Sequence, residues 1–402
     1  MPQVSSVKTV HENFHPPHFI FYRWRKIIVF GDPVGIIMEH SKKLPKKTAG
    51  NIIFPVHDNP ESTAALLGDI RSLVESTRIR VAVGVNAEMV LLYWDIGERI
   101  RKEILGDERA AYGRQVVSMV SDQLSTRYGR GFTKTNLFHM IRFTETFPDR
   151  QKVYTLCRQL SWSHFRSIFY IEDPLAREFY TEMCRLERWS VRVLQEKIRG
   201  MLFERTALAR KPEALARKEL EALRDEDVMT PDLVFRSPYF LDFLGLSDTY
   251  SEKDLENSIL RELERFILEL GTDFSFVARQ KRITVDHEDY YIDLLFYHRK
   301  LRRLVVIDLK LEKFRAADKG QMELYLRWLD RYDRQPGEEQ PLGLILCAGS
   351  SAEHIELLQL ESSGIRVAEY FTELPPRKLL EQKLKSAVAI ARERLAEGDA
   401  GL

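Results

Sequence analysis

Between residues 62 and about 220 the apolar positions recur at helical spacing. Ala64, Leu67, Ile70, Leu73 and Val74 make one stripe. Val85, Met89, Leu92, Trp94, Ile96, Ile100 and Ile104 make another, on a second, long helix over 81–104. A helix over 112–128 is carried by Val116, Met119, Val120 and Leu124. Gly129-Arg130-Gly131 breaks it, and Thr133 caps the next, which stops before Pro148. Further helices open at Ser161 or Ser163 and at Trp189-Ser190, the last running to about Phe203. No strand alternation occurs here, which predicts an all-α N-terminal domain.

After a charged, helix-prone connector over 207–235 the pattern changes. Ser251, with Asp254 three residues on, opens a helix over 251–270 with a capping box. Apolar runs of strand length follow at 274–285, 290–298 and 304–311. Then come a helix over 315–332, a strand over 342–347, a helix over 352–360, a strand over 365–369 and a helix over 375–395. This order predicts an α/β domain with a central mixed sheet. The expected domains are a leader over 1–60, a helical domain over 61–206 assigned to DNA binding, the connector, and the α/β domain over 236–402.

The second and third strands hold the candidate chemistry. In a hairpin centred between Lys300 and Leu301, facing residues have numbers that sum to 601, and 293 + 308 = 601. Asp293 and Asp308 therefore face each other on one side of the ribbon, with Cβ atoms roughly 4.5–5.5 Å apart. Lys310, two residues after Asp308, shares that face. Two acids opposed across an apolar ladder repel one another, and Lys310 cancels only one of them. A hard divalent cation between them relieves the conflict, with Mg²⁺ or Mn²⁺ better suited than zinc. A buried salt bridge is the alternative reading of the same residues. Glu256, on the helix before the strands, lies on a stripe with Leu260, Leu263 and Ile267. It borders the sheet-facing side unless it is a solvated helix-start glutamate. Gln321 shares a stripe with Leu324 and Trp328. It either presents its amide to the same patch or is an ordinary boundary residue.

Here the sequence resembles the PD-(D/E)xK nuclease superfamily, and more narrowly the YhcG-type family of bacterial proteins. In that family a helical domain precedes such a nuclease domain. The resemblance rests on Leu91-Leu92-Tyr93-Trp94-Asp95-Ile96-Gly97, Leu160-Ser161-Trp162-Ser163-His164, Asp232-Leu233-Val234-Phe235, Tyr239-Phe240-Leu241-Asp242-Phe243-Leu244, Ile292-Asp293-Leu294-Leu295-Phe296-Tyr297, Asp308-Leu309-Lys310-Leu311 and Gly320-Gln321-Met322-Glu323-Leu324-Tyr325-Leu326. It spans roughly residues 62–396. Ile292 stands where the motif name has proline, and Asp308 where glutamate is commoner. The resemblance implies a restriction-endonuclease-like fold and a metal-dependent DNA endonuclease serving repair, recombination or defence. In that picture Asp293, Asp308 and Glu256 hold Mg²⁺ (or Mn²⁺) with the Leu309 carbonyl, Lys310 orients the attacking water, and Gln321 steadies it or the DNA backbone.

Basic residues supply candidate DNA contacts. Residues 121–220 carry 19 Lys and Arg against 12 Asp and Glu. Arg130, Lys134 and Arg142 flank the Gly129-Arg130-Gly131 turn in a pattern that suits a helix-turn-helix or the rim of a solvated bundle. Arg299, Lys300, Arg302 and Arg303, in the hairpin turn, are expected to meet phosphates near the metal or to form a solvated tip. His11-Glu12-Asn13-Phe14-His15 spells the zinc-protease motif, but Pro16-Pro17 follow at once and no helical period surrounds it, so it reads as a chance match.

Composition narrows the classes left. Lys plus Arg (61) nearly equals Asp plus Glu (60) over 402 residues, which excludes a uniformly basic coat and an acidic tail protein. Three dispersed cysteines exclude a disulfide scaffold and point to a reducing, cytoplasmic setting. No apolar run is long enough to span a membrane. Because nucleases that cut both strands often pair, a homodimer is expected. Rival readings are a catalytically idle DNA-binding or scaffolding protein and an RNase of the same fold.

Overall fold

The computed structural model describes residues 60–105, 110–246 and 249–399. The leader, with its basic clusters and the His11–His15 motif, lies outside them. Within Met1–Arg158, one of two compact units, lie α1 (Pro60–Leu105), α2 (Ala110–Tyr128), α3 (Lys134–Thr146) and α4 (Arg150–Leu156). The two helices expected over 62–104 are one. No glycine or proline falls between Val74 and Val81, and side-chain bonds such as Arg80 to Thr77 (2.8 Å) bridge the join. Helix α1 packs closely on α3: a Cβ at Gly97 would fall 2.1 Å from the Met140 carbonyl oxygen, so only glycine fits there. Trp94 Nε1 donates to the Phe147 carbonyl at 2.7 Å, and Val90, Leu137, Met140 and Phe143 are fully buried.

The second unit, Gln159–Leu402, starts well before the boundary at 206 expected from sequence. It begins with α5 (Trp162–Ile168), α6 (Pro174–Glu187), α7 (Val191–Arg199), α8 (Leu202–Arg205), α9 (Glu213–Glu226) and α10 (Pro231–Val234). Then come β1 (Tyr239–Phe240), α11 (Glu252–Arg261), α12 (Leu263–Leu270), β2 (Phe274–Val285), β3 (Glu288–His298) and β4 (Arg303–Leu309). The unit closes with α13 (Ala316–Tyr332), β5 (Leu342–Cys347), α14 (Ala352–Leu357), β6 (Ile365–Phe371) and α15 (Arg377–Asp399). The helix expected over 251–270 is broken at Glu262, whose backbone (φ −107°, ψ 31°) leaves the helical region.

The strands form one mixed sheet in the order β1-β6-β5-β4-β3-β2. Strands β1, β6, β5 and β4 are parallel, and β3 and β2 continue antiparallel. Parallel central strands are covered on both faces, which is why β5 is buried throughout. One face carries Leu295, Val306 and Ile345 against Met322, Tyr325 and Leu329 of α13. A Cβ at Gly343 would lie 2.5 Å from Met322 Sδ, so this glycine lets α13 settle onto β5. The preceding helices belong to the same unit through a buried ion cluster. Glu269, at the end of α12, accepts from Arg205 and from the Phe240 N–H (3.0 Å), with Arg236 beside it. The Arg205 guanidinium also stacks 3.8 Å from the Phe240 ring centre. The three cysteines are buried and free. Among the described residues no helix is long and apolar enough to cross a membrane.

Candidate active site

The β3–β4 ladder runs from His298↔Arg303 to Leu294↔Ile307, each pair summing to 601. It ends one step before Asp293 and Asp308. There the strands part, and Asp293 Oδ2 takes the place of a backbone carbonyl by accepting the Leu309 N–H at 3.0 Å. The period-two geometry thus brings Asp293 alongside β4, as a side-chain acceptor at the ladder's end. Asp308 is almost wholly buried, with 3% of its surface exposed. Its Oδ2 accepts no well-aligned hydrogen bond but lies 2.9 Å from Lys310 Nζ.

Lys310 continues the chain past β4, and its N–H donates to the Leu346 carbonyl at 2.8 Å. Its ammonium reaches Gln321 Oε1 at 3.5 Å on α13. Gln321 in turn donates to the Tyr325 hydroxyl (2.6 Å), which donates to the Tyr291 carbonyl (3.0 Å). This chain fixes the Gln321 amide from two elements. Glu256 on α11 does not touch Asp293 directly. The Gln280 amide on β2 stands between them, donating to Glu256 Oε2 (2.8 Å) and to Asp293 Oδ1 (3.1 Å). An amide nitrogen carries two hydrogens and can serve both.

Gln280 was missed by the sequence reading, although a signal for it existed. The Asp286-His287 turn sets facing sums of 573 for β2 and β3, seen at Arg279↔Leu294 and Lys281↔Ile292. The same arithmetic places Gln280 opposite Asp293. Its φ of +43° drops it from the ladder, a conformation that costs an ordinary residue about 1–3 kcal/mol and recurs at functional sites. Tyr325 was likewise missed. On sequence it is one apolar-face residue of an amphipathic helix, and only the fold brings its hydroxyl to Gln321.

The electrostatics are unbalanced. Three carboxylates, of Glu256, Asp293 and Asp308, converge with one ammonium. Burial pushes the Asp308 carboxyl up to about 7; the Asp293 charge adds to this, and Lys310 opposes it. Burial works against the Lys310 ammonium, yet Asp308 beside it prevails and holds its pKa above the usual lysine value. Buried acids shifted this way, beside a charged partner at the end of a strand, cluster at functional sites.

Among the described residues no three His, Cys, Asp or Glu side chains form a ready cluster around one ion. Mg²⁺ does not require one, since it keeps several waters and is held by one or two carboxylates. Asp293, Asp308 and the Leu309 carbonyl provide hard oxygen donors, and the poorly satisfied Asp308 Oδ2 is a buried acceptor with capacity left. The residues therefore fit such a cation.

The basic turn lies elsewhere. Arg299 to Arg303 close the far end of the β3–β4 ribbon. Five residues separate Arg303 from Asp308, about 16 Å at strand rise. Lys300 is paired with Asp273 (2.8 Å) and Arg302 with Glu339 (3.3 Å), while Arg303 donates to the Leu301 carbonyl (3.3 Å). The expectation that these residues border the metal is corrected: a hairpin turn is necessarily remote from the open end of its own ladder. In the first unit, Arg130, Lys134 and Arg142 are exposed around the turn before α3, with Arg142 3.6 Å from Glu145. Asn136 is spent on the Gly131 carbonyl (3.1 Å).

A mixed sheet with helices on both faces, and a D-(14 residues)-D-x-K set at its carboxyl edge, define a nuclease domain of restriction-endonuclease-like fold. Residues 69–205 match the family described as DUF1016 N-terminal domain, and residues 232–386 the YhcG PDDEXK nuclease domain. The chain belongs to the YhcG family. It is 35% identical over 353 residues to the Escherichia coli (strain K12) protein described as "Putative nuclease YhcG", covering 80% of this chain and 93% of that protein. Among solved structures, a repair endonuclease from Pyrococcus abyssi is 21% identical, covering 33% of this chain and 50% of that one, with a TM-score of 0.23.

Proposed function

We propose that this chain is a Mg²⁺-dependent (or Mn²⁺-dependent) endonuclease that hydrolyses phosphodiester bonds in DNA, in repair, recombination or defence. The observation that supports this best is the convergence of Asp308, Lys310 and Gln321 with Asp293 and Glu256 at one end of a β-ribbon. Asp293, Asp308 and the Leu309 carbonyl would hold the cation, and Glu256 would reach it directly or through water. When bound, the cation supplies Lewis-acid stabilisation of charge on the scissile phosphate.

The remaining steps belong to the chain's own side chains. Lys310 stands where its ammonium can orient a water for attack and offset charge as the phosphorus becomes five-coordinate. Gln321, held by Tyr325, keeps the Lys310 head group at the site. Asp308 must shed its proton before it can act as a ligand, and Lys310 favours that ionised form. Gln280 sets the separation of Glu256 and Asp293.

The rival is a nucleic-acid-binding protein with an idle nuclease fold. It draws on the Gln280 amide, which occupies the space between two acids that a second cation would otherwise share. Purified protein incubated with plasmid, branched DNA and RNA, with Mg²⁺ or EDTA, separates the readings. Mg²⁺-dependent DNA cleavage that is absent in Asp308→Ala supports the proposal. Equal cleavage by that variant, or no cleavage of any substrate, refutes it, and cleavage of RNA alone reassigns the substrate.

A further inference from the structure

A second site lies in the same unit, away from the acids. Helices α5 and α7 and the first turn of α15 enclose an open groove of about 580 Å³. Arg166, Arg199 and Arg377 line it, together with Ser167, Gln195 and the Tyr170 ring, which is 56% exposed. No carboxylate is among its lining residues. The nearest acid along α15, Glu381, is held by Lys385 at 2.9 Å. The three arginines come from distant parts of the sequence, and each is exposed.

The walls are fixed in place. Leu380 and Leu384 of α15 pack on Met201, and Arg392 donates to the Ala209 carbonyl at 2.9 Å. Gln195 donates to Ser167 Oγ (3.3 Å), tying α7 to α5. The helices that carry the three arginines around one groove are thus held by contacts that do not involve those arginines. Three like charges brought together without an acid repel one another and create a field suited to an anion. An exposed aromatic ring among arginines adds a surface on which a nucleobase can stack.

The chain that supplies Arg377 to the groove leaves the sheet on the side that carries the acids. Strands β4, β5 and β6 are parallel, so Asp308 and Phe371 end on one edge. Two strand spacings separate β4 from β6, about 10 Å. Arg377 follows β6 after a short loop. We infer that the Arg166–Arg199–Arg377 groove binds the phosphodiester backbone of an unpaired nucleic-acid strand, with a base stacked on Tyr170. This rests on the nuclease reading and extends it to the flanking part of the substrate.

The test uses the full chain in EDTA, so that binding is read without cleavage. The probe is a fluorescein-labelled single-stranded 20-mer of DNA, followed by fluorescence anisotropy across a salt series. The variant R166Q/R199Q/R377Q should bind at least about tenfold more weakly at low salt. The slope of log affinity against log salt should become shallower by about 2, as three phosphate contacts are lost. Tyr170→Ala should bind about tenfold more weakly with its slope unchanged. These side chains are exposed, so thermal melting should be unaltered, which separates lost binding from lost folding. Unchanged affinity and slope in the triple variant overturn the inference. So does a labelled poly-glutamate peptide that binds the parent as tightly as the oligonucleotide does. Failure of the nuclease reading looks different: the parent then cleaves nothing in Mg²⁺, yet the triple variant still loses binding.

Discussion

The β3–β4 ribbon carries charge at both ends, and the two ends are built in opposite ways. At the turn, Lys300 meets Asp273, Arg302 meets Glu339, and the His298 ring accepts the Leu301 N–H at 3.1 Å. Lys300 and Arg302 each meet a separate acid, although the Asp273 oxygen beside Lys300, like the Asp308 oxygen beside Lys310, has no aligned donor. At the other end, Asp293 and Asp308 share one ammonium, a third acid, Glu256, follows through Gln280, and a buried Asp308 oxygen lacks an aligned donor. Two strands of similar apolar composition thus end once in a turn whose acids each meet a cation and once in a cluster where acids outnumber the cation. Acids that each meet a cation at a sheet end mark structure, whereas acids left in excess under burial mark a place that a cation completes.

The largest effect that would break this comparison is catalytic. Asp308→Ala or Lys310→Ala should lower Mg²⁺-dependent plasmid cleavage about a thousandfold or more while leaving the fold intact by circular dichroism. Loss of the fold in Asp308→Ala would mean that the acid end is structural as well.

Next in size is a pH effect at the closed end. Burial pushes the His298 imidazole down to about 4, with Asp273 opposing and Lys300 assisting. The fold therefore prefers neutral His298. Its contribution is complete above about 6.5, is lost as pH falls from there towards 4, and changes no further below 4. Urea unfolding of the parent should lose up to about 3 kcal/mol over that range relative to His298→Gln. Parallel curves for the two proteins would show that the turn does not depend on the neutral ring.

Gln280 sharpens the comparison at the open end. Gln280→Gly removes the positive-φ strain and frees Glu256 from Asp293. It should raise stability by about 1 kcal/mol and lower cleavage about tenfold. Higher stability with unchanged cleavage would place Gln280 outside the reaction. The smallest effect is expected from Lys300→Ala and Arg302→Ala: cleavage within about twofold of the parent and a stability loss of at most about 1 kcal/mol, because partly exposed ion pairs contribute little.

Much of the scaffold was legible in the sequence. The strands 274–285 and 342–347 were read to the residue, because an apolar run of strand length bounded by polar turns has few alternatives. The 601 register follows from period two and the hairpin centre. Strand β1 was not legible. It has two residues, and its partners Tyr370 and Phe371 lie far along the chain, so no local pattern marks it. The end of the helical domain expected at 206 agrees with the family match over 69–205; packing nevertheless joins the helices from 159 onward to the sheet, since Arg205 and Arg236 bind them to Glu269 through contacts that cross 64 and 33 residues. Of the candidate residues, Asp293, Asp308 and Lys310 were placed together by alternation alone; Gln321, on a helix, was left open between this patch and an ordinary boundary position, and the fold brings its amide to Lys310. Glu256 is joined to them only through Gln280.

What the sequence determined by itself is the order of helices and strands and which side chains share a face, because both follow from the repeat of the backbone. The tertiary structure alone decided which charges are neutralised and which remain in excess. It paired Lys300 with Asp273 and Arg302 with Glu339, set two acids beside the single Lys310 ammonium, and gathered Arg166, Arg199 and Arg377 into one groove. The physical reason is range. Periodicity acts between neighbours in the chain, whereas electrostatic balance and burial depend on neighbours in space.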